Sequence, residues 1–353
     1  MKCLTAYVGT YTTSTESQGI YSLRLDLDSG ALTAVELAGQ ASDPSFLALH
    51  PCGKFLYAVS EFGAAVGAFA VSPAGKLAAL NQQPSGGNWP CHLTVDREGR
   101  NVLVANYGGG CVTVLPIGAD GCLASPSQTV QHHGSGPDPK RQEAPHTHSV
   151  NLDPTGRFAF VADLGLDKVM VYRFDSALGK LVPHDPPAAV LAPGAGPRHL
   201  AFHPGGRLAF VINELASTVT SFAWDGKLGV LRERQTISTL PRDFSGANLA
   251  AEVRVHPSGR FLYASNRGQD SIASFLIEPG SGALTALGHE PTLGRSPRHF
   301  ALDPTGTWLL AANQATDNLV VFRIEAQSGR LKPAGFQVEV PAPVCVTFAA
   351  EAR

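Results

Sequence analysis

Short apolar runs separated by tight turns recur along the whole chain, and the clearest copy lies within Gly196–Glu214. There, two β-prone runs, Leu200–Phe202 and Leu208–Ile212, flank the turn sequence His203–Gly206. This pattern predicts a β-hairpin. The same hairpin pattern is found in five further segments: Pro44–Glu61, Pro90–Tyr107, Thr147–Leu164, Ala250–Arg267 and Pro297–Gln314.

The spacing of these hairpins indicates a repeat architecture. Their turn glycines recur about every 50 residues, a period typical of propeller blades and other repeat arrays. These glycines are Gly53, Gly99, Gly156, Gly206, Gly259 and Gly306. A third and a fourth apolar run follow each hairpin, as Val169–Asp175 and Leu181–His184 do after Thr147–Leu164. Four strands per repeat is the pattern of a propeller blade.

The two chain ends supply one more repeat. Pro343–Ala349 matches the first strand of a hairpin, whereas Lys2–Thr12 matches a second strand and is followed by Gly19–Asp26 and Leu32–Gly39. We therefore predict an all-β fold: a seven-bladed β-propeller with four antiparallel strands per blade, closed by pairing the C-terminal strand with the N-terminal blade strands. Residues 1–353 are expected to form a single β-propeller domain. A ring without free sheet edges predicts a monomer.

Composition narrows the range of partners. Charge is nearly balanced, with 27 basic and 29 acidic residues, and no basic run is longer than two residues. We therefore expect neither nucleic acid nor a membrane as a partner. The N-terminus lacks the apolar region of a signal peptide, and no apolar stretch is long enough to span a membrane. The six cysteines show no paired spacing, which favours reduced thiols in a cytoplasmic protein.

The repeat also separates scaffold positions from exceptional ones. A small polar residue closes the second strand of each hairpin, and we interpret it as structural because Asn and Asp bond readily to nearby backbone. These residues are Ser60, Asn106, Asp163, Asn213, Asn266 and Asn313.

Two neighbouring columns of the repeat differ from blade to blade, and several of their members are charged. The column at the start of the first strand contains Ser45, Cys91, His148, Arg198, Ala251 and Arg298. The column just past the second strand contains Glu61, Tyr107, Leu164, Glu214, Arg267 and Gln314.

Both columns are expected to ring one mouth of the central channel, because the two strands are antiparallel and the first strand of each blade lines the channel. Five members of these columns come from neighbouring blades and can converge on one side of that mouth: His148, Arg198, Glu214, Arg267 and Arg298. This convergence predicts a small-molecule site. The competing interpretation is that these residues are rim charges in ordinary ion pairs.

The longest insertion, Gln131–His148, contains four histidines. Its spacing matches no zinc pattern, so we predict no metal site and interpret the segment as a lid or wall that delivers His146, His148 and Arg141 to the mouth. The sequence also lacks the GxSxG, HExxH, P-loop and GxGxxG signatures. Serine-hydrolase, zincin and nucleotide-binding interpretations are therefore unsupported.

Several longer motifs resemble those of the bacterial seven-bladed β-propeller 6-phosphogluconolactonase family, and together they cover essentially the whole chain. The motifs are YVGTYT with GIYSLRLD, GSGPDPKRQEAPHTHSV, ADLGLDKV, GPRHLAFHP with NEL, ASNRGQDSIASF, and PRHFALDPTG with LLAANQ. The same superfamily includes the fungal 3-carboxy-cis,cis-muconate lactonizing enzyme. The residues proposed for the site of that enzyme match His148 in HTHS, Arg198 in GPRH, Glu214 in NEL and Arg267 in SNRG.

The resemblance implies hydrolysis of 6-phospho-D-glucono-1,5-lactone, a step of the pentose phosphate pathway, with no metal or organic cofactor. His148 and Glu214 would share base and proton-relay duty, while Arg198 and Arg267 would stabilise the oxyanion and hold the substrate. Further substrate-binding residues would be His146, Arg141, Gln314 and, for the phosphate, Arg298 and Lys168. A muconate-type cycloisomerase, a hydrolase of another sugar lactone and a non-enzymatic binding propeller are the open alternatives.

Overall fold

The computed structural model describes residues 2–349 as a ring of seven four-stranded antiparallel sheets. We number these sheets as blades one to seven, following the order of the hairpins. Blade one consists of β4 (Leu47–Leu49), β5 (Phe55–Ser60), β6 (Ala65–Val71) and β7 (Leu77–Pro84). Blade two consists of β8 (Pro90–Val95), β9 (Asn101–Asn106), β10 (Cys111–Pro116) and β11 (Gln128–Gln131). Blade three consists of β12 (Thr147–Leu152), β13 (Phe158–Asp163), β14 (Lys168–Asp175) and β15 (Lys180–Val190).

The remaining blades have the same order of strands. Blade four consists of β16 (Pro197–Phe202), β17 (Leu208–Asn213), β18 (Thr218–Asp225) and β19 (Val230–Ser238). Blade five consists of β20 (Leu249–Val255), β21 (Phe261–Arg267), β22 (Ser271–Ile277) and β23 (Leu284–Pro291). Blade six consists of β24 (Pro297–Leu302), β25 (Trp308–Asn313), β26 (Asn318–Ile324) and β27 (Leu331–Glu339). Two short 3₁₀ helices, Leu164–Leu166 and Gln314–Thr316, follow β13 and β25.

Blade seven joins the two chain ends, as the sequence predicts. It consists of β28 (Pro343–Phe348), β1 (Cys3–Thr10), β2 (Gly19–Asp26) and β3 (Leu32–Gln40), in that order across the sheet. Strand β28 pairs antiparallel with β1, placing Tyr7 opposite Thr347 and Gly9 opposite Cys345. The predicted seven-bladed ring and its closure are confirmed. No helix within residues 2–349 is long and apolar enough to cross a bilayer.

Buried side chains between the blades hold the ring together, and a few recurring hydrogen bonds set the blade spacing. The buried Tyr7, Tyr57 and Tyr263 each donate to the carbonyl of a turn glycine in the neighbouring blade, at 2.8–3.0 Å. The imidazole Nε2 atoms of His203 and His256 lie 2.9 and 2.8 Å from glycine carbonyls in the blade that follows each. At four of the seven blade interfaces, apolar sheet faces are thus also joined by a hydrogen bond to a turn glycine.

The first strand of every blade lies innermost, and neighbouring first strands contact one another around the channel. In several of these strands the pairing register slips by one residue near the start. The slip leaves Arg198 between the paired Pro197 and His199, and it leaves Arg298 in the same position in blade six. Such a bulge breaks the strict alternation of a strand. As a result, both Arg198 and the next residue, His199, line the same small cavity in the channel.

Candidate active site

Glu214 lies at the centre of the predicted cluster. It follows β17 at the channel mouth, and only 3% of it is exposed. One carboxylate oxygen, Oε1, accepts a hydrogen bond from Arg141 Nη2 at 2.6 Å. The other, Oε2, accepts from Arg198 Nε at 3.0 Å and from Arg267 Nη2 at 2.7 Å. Three guanidinium groups from the 132–146 loop, β16 and β21 therefore meet on one buried carboxylate.

These neighbours fix the charge of the cluster. Burial alone would raise the pKa of Glu214, but the Arg267 and Arg198 guanidiniums and the hydrogen bond from Arg141 outweigh it. The pKa of Glu214 therefore lies well below its usual range, and the side chain is a carboxylate at neutral pH. Burial and the nearby Arg298 lower the pKa of Arg198, yet a guanidinium keeps its proton in proteins. The group is thus a fixed array of opposite charges rather than a surface ion pair.

His148 lies beside this array on β12. Its Nε2 lies 3.8 Å from Glu214 Oε2, which is longer than a hydrogen bond, and it makes no hydrogen bond within residues 2–349. Burial, followed by the charge of Arg198, lowers the pKa of His148 well below its ordinary value. The imidazole is therefore neutral at neutral pH and has a ring nitrogen available to a water or a substrate.

Cys91 is the nearest side chain on the other side of His148. Its sulfur lies 3.7 Å from His148 Nδ1 and 3.3 Å from the His148 carbonyl oxygen. Burial raises the pKa of the Cys91 thiol far above its ordinary value, so the group is a thiol and not the thiolate that a cysteine nucleophile needs. Cys91 packs against His148 without sharing its chemistry.

The 132–146 loop forms a wall of the mouth. His146 stacks on Tyr107 with ring centroids 4.5 Å apart, and its Nδ1 lies 3.1 Å from the Tyr107 carbonyl. Arg141 extends past the Tyr107 hydroxyl, at 3.5 Å, to reach Glu214. The predicted delivery of His146 and Arg141 by this loop agrees with the structure. However, β11 ends at Gln131 and β12 begins at Thr147, so His148 is supplied by a strand and not by the loop.

A buried triad anchors the start of this loop. His132 Nδ1 lies 2.6 Å from Asp163 Oδ2, and the Tyr172 hydroxyl lies 2.9 Å from His132 Nε2. The other Asp163 oxygen accepts the backbone N–H of His146 at 2.8 Å. His132 and His146 thus have separate partners, and no group of three potential metal ligands occurs within residues 2–349.

We expect Asp163→Ala to lower the free energy of unfolding by about 2–4 kcal/mol, because it leaves two buried donors, His132 Nδ1–H and His146 N–H, without acceptors. The matched control is Asn213→Ala at the same position of blade four, where Asn213 bonds to the hydroxyls of Thr218 and Thr220. These hydroxyls can rotate to new partners, so we expect a loss of about 1 kcal/mol. Urea unfolding of both variants measures the difference, and equal losses would contradict the anchoring role.

Arg298 lies near the cluster but remains unpaired. Its guanidinium carbon lies 5.5 Å from the centre of the Tyr11 ring, and it forms no ion pair within residues 2–349. It lines the small cavity shared with Arg198 and also borders a wider cavity of about 710 Å³, which includes Gln314 and Tyr11. Lys168, in contrast, begins the third strand of blade three, and its side chain makes no hydrogen bond or ion pair within the same residues. The structure thus joins six predicted residues through shared contacts: His146, Arg141, His148, Arg198, Glu214 and Arg267. Gln314 is connected to them only through the cavity that it shares with Arg298.

A family comparison places the chain. The model of the family described as "Lactonase, 7-bladed beta-propeller" matches residues 5–348. The chain belongs to this lactonase family. The 6-phosphogluconolactonase of Bacillus subtilis (strain 168) is 40% identical over 346 residues, which cover 97% of each chain. That of Serratia proteamaculans (strain 568) is 33% identical over 293 residues, covering 83% of this chain and 84% of the relative.

A solved structure of a relative agrees along the full length of this lactonase-family chain. The periplasmic gluconolactonase of Pseudomonas aeruginosa superposes with a TM-score of 0.94 at 35% sequence identity, covering 99% of this chain and 100% of that chain. One relative is thus named for a phosphorylated lactone and another for an unphosphorylated one. Family membership does not distinguish between these two substrates, so the distinction has to come from the residues at the channel mouth.

Sequence reasoning missed several polar residues of this lactonase-family channel. Tyr107 and Glu61 stand in the second exceptional column but were not expected to take part, although Tyr107 packs on His146 and Glu61 accepts the Tyr11 hydroxyl at 2.9 Å. A whole further column, one residue after the first, also lines the channel. It contains Phe46, His92, Ser149, His199, Glu252, His299 and Cys345. Its three histidines and one glutamate were a visible signal, but strict strand alternation would predict that these side chains point away from the channel.

Proposed function

We propose that this protein hydrolyses 6-phospho-D-glucono-1,5-lactone to 6-phosphogluconate at the Glu214 end of the channel. The observation that carries the proposal is the neutral His148 facing the Glu214–arginine array, in a chain of the lactonase family. The channel mouth contains a base, His148, the fixed cations of the array, and one unpaired arginine, Arg298. Ester hydrolysis of an anionic sugar lactone needs these three kinds of group.

His148 is the base in this proposal. A water hydrogen-bonded to its free Nε2 attacks the lactone carbonyl carbon, and the imidazole takes the proton of that water. When the ring C–O bond breaks, the imidazolium returns the proton to the departing ring oxygen, which becomes a hydroxyl. Glu214 does not suit the role of base, because its three guanidinium partners hold its pKa well below its usual range. It orients the arginines and stabilises the imidazolium that forms next to it.

Arg198 and Arg267 stabilise the oxyanion. Both are tied to Glu214 Oε2, so neither has to reorganise when charge develops on the carbonyl oxygen. The Nε atom of Arg267 is buried and lacks a hydrogen-bond partner within residues 2–349. A substrate oxygen would satisfy this donor, and we therefore place Arg267 against the lactone. Arg141 and His146 close the same side through the loop.

Arg298 and Gln314 bind the phosphate end of the substrate. Of the four arginines at the mouth, Arg298 differs in having no carboxylate within ion-pair distance in the described part of the chain. An unpaired guanidinium at a cavity suits a phosphate, which it binds with two parallel hydrogen bonds. Lys168 lies outside the contacts of the cluster, and we leave it out of the proposed site. Unphosphorylated gluconolactone is the second candidate substrate, on the strength of the Pseudomonas relative.

We further propose that the protein works in the cytoplasm as a monomer without a cofactor. All six cysteines are free, which suits a reducing compartment. The ring leaves no blade without its complement of four strands, so no second chain is needed to complete a sheet.

The proposed reaction is tested by coupling fresh 6-phosphogluconolactone to 6-phosphogluconate dehydrogenase and subtracting the spontaneous rate. We expect a rate clearly above that background, and a higher kcat/KM than for glucono-1,5-lactone followed by pH-stat. No enzymatic rate with the phosphorylated lactone would contradict the named substrate. A preference for glucono-1,5-lactone would instead support the second candidate.

We expect Arg298→Gln to raise KM for the phosphorylated lactone by about 10-fold or more, the size of one lost charge-assisted hydrogen bond. The KM for glucono-1,5-lactone should change by less than about twofold, since that substrate has no group for the missing cation. Lys168→Gln serves as the matched cation control and should leave both constants nearly unchanged. Steady-state kinetics with both lactones decides the matter, and equal KM increases for the two substrates would rule out a phosphate role for Arg298.

A further inference from the structure

A second layer of polar side chains lies in the channel directly next to the Glu214 cluster. It is built from His92, His199, Glu252 and His299, each less than 9% exposed, with Phe46 packed against the three imidazoles. Burial lowers the pKa of His92 and of His299 to about 3, so these rings are neutral. Buried polar groups of this number are costly unless each has a partner. The proposed mechanism uses none of them.

Glu252 is the hub of this layer. Its Oε2 lies 2.9 Å from His199 Nδ1 and 3.1 Å from His299 Nε2. Its Oε1 accepts the backbone N–H of Val253 at 3.1 Å and lies 3.1 Å from Arg254 Nε. Donors therefore surround both carboxylate oxygens. The hub is connected to the Glu214 cluster by one residue, His199, whose Nε2 lies 3.3 Å from Arg198 Nη1.

The contacts with Glu252 and with Arg198 both require the same tautomer of His199. A guanidinium can only donate, so the His199 Nε2 that faces it must carry the lone pair. The ring proton then sits on Nδ1 and is donated to Glu252. His299 is not fixed in this way, because its Nδ1 accepts the backbone N–H of Val346 at 3.2 Å while its Nε2 lies 3.1 Å from both Glu252 Oε2 and Arg254 Nη2. Of the two imidazoles on Glu252 Oε2, His199 is therefore the one with a defined tautomer.

We propose that Glu252 is a positioning residue for lactone hydrolysis, which holds His199 in its Nδ1–H form and thereby aims the guanidinium of Arg198. The inference rests on the proposed oxyanion role of Arg198. That guanidinium is held at three points: Glu214 on Nε, and both His199 and the Ala251 carbonyl, at 2.6 Å, on Nη1. The hydrogens of its Nη2 remain for the substrate. Glu252 is separated from the Arg198 guanidinium by two hydrogen bonds, in the way that a carboxylate behind a metal-binding histidine orients that histidine.

Loss of the Glu252 charge has a specific consequence. With a neutral amide in its place, His199 is no longer held to the Nδ1–H form, and an Nε2–H tautomer would point a proton at Arg198. Two donors would then face each other across 3.3 Å, and Arg198 would have to turn away from the lactone. We expect Glu252→Gln to lower kcat by about 10–100-fold with little change in KM, because the oxyanion is stabilised mainly in the transition state.

A double-mutant cycle with Arg198→Lys separates this role from a general structural one. If Glu252 acts through Arg198, Glu252→Gln should cost less than about threefold once the guanidinium is gone. His299→Asn is the matched control, because it removes the other imidazole on the same carboxylate oxygen without touching Arg198. We expect it to leave kcat within about threefold. Equal costs of Glu252→Gln in both backgrounds would overturn the proposal.

The tautomer of His199 gives a test that does not depend on turnover. Long-range ¹H–¹⁵N correlations in ¹⁵N-histidine-labelled protein, with His199 assigned from a His199→Asn spectrum, show which ring nitrogen carries the proton. We expect the Nδ1–H form in the wild type and a shift toward Nε2–H in Glu252→Gln. A wild-type His199 protonated on Nε2 overturns the proposal even if the enzyme hydrolyses lactones. If the expected His199 tautomers are found in a protein that shows no lactonase activity, the Glu252–His199 contact is supported and the proposed function is contradicted.

Discussion

Replacement of Glu214 by glutamine is expected to lower kcat/KM for lactone hydrolysis by about a thousandfold. The carboxylate receives Arg141 on one oxygen and both Arg198 and Arg267 on the other. An amide offers one acceptor oxygen and two N–H donors, so at least one of these guanidiniums would meet a donor instead of an acceptor, and the negative charge that all three share would be lost. The oxyanion donors and the charge beside His148 would be lost together, and each such effect is worth about 10²–10³.

The same change should destabilise the fold by about 3 kcal/mol, because it leaves Arg198 and Arg267 buried without a compensating charge. Glu61→Gln is the matched control. Glu61 occupies the same column in blade one, but its carboxylate accepts the hydroxyls of Tyr11 and Ser45 rather than guanidiniums. We expect it to lose less than about tenfold in activity and about 1 kcal/mol in stability. Activity of Glu214→Gln within tenfold of the wild type, measured with the coupled assay, would contradict the central role of Glu214.

Replacement of His148 by glutamine is the second large effect. We expect kcat to fall by about 10²–10⁴ while KM changes little, because glutamine keeps a polar group near the position of Nε2 but cannot take a proton from water. Cys91→Ala is the matched control, since Cys91 touches the same imidazole from the other side. It should leave kcat within about threefold. Retention of kcat in His148→Gln would exclude His148 as the base.

The pH dependence of kcat/KM tests whether the neutral imidazole of His148 is the base. The folded protein holds the pKa of His148 well below 6.5, so the imidazole is the neutral base at every pH above that lowered value. We expect kcat/KM to be flat from about pH 6.5 to 8 and to fall only at more acidic pH, as the imidazole becomes protonated. The acidic limb should disappear in His148→Gln. An acidic limb with a midpoint at or above about pH 7 would contradict the neutral, buried imidazole.

The fold could be predicted from the sequence because each blade repeats the same local chemistry. Turn glycines such as Gly206, the apolar runs on either side and the spacing of about 50 residues all act locally, so the pattern survives without knowledge of the neighbours. The split blade followed from the same pattern, since Pro343–Ala349 and Lys2–Thr12 complement each other. The column that contains Asn213 was correctly interpreted as structural, and its members bond to nearby strands and turns.

The location of the candidate site followed from the same repeat, but its details did not. The column positions brought Arg198, Glu214 and Arg267 to one mouth. The Glu252 layer was missed because a bulge places two consecutive residues in the channel, and a bulge depends on strand pairing that the sequence does not display. Lys168 was included from a motif alone, without a column position, and its side chain makes no hydrogen bond or ion pair with the cluster within residues 2–349. Which residues touch phosphate also depends on cavity shape, which only the assembled ring defines.

The most direct test of the central claim is the initial rate of 6-phosphogluconolactone hydrolysis by the wild type beside Glu214→Gln, His148→Gln and Arg198→Lys. The spontaneous rate is subtracted, and circular dichroism confirms that each variant is folded. We expect a wild-type rate well above the background and a fall of about a hundredfold or more in all three variants. Wild-type activity that survives in all three folded variants would show that the charges around Glu214 only stabilise the ring and that the chemistry takes place elsewhere.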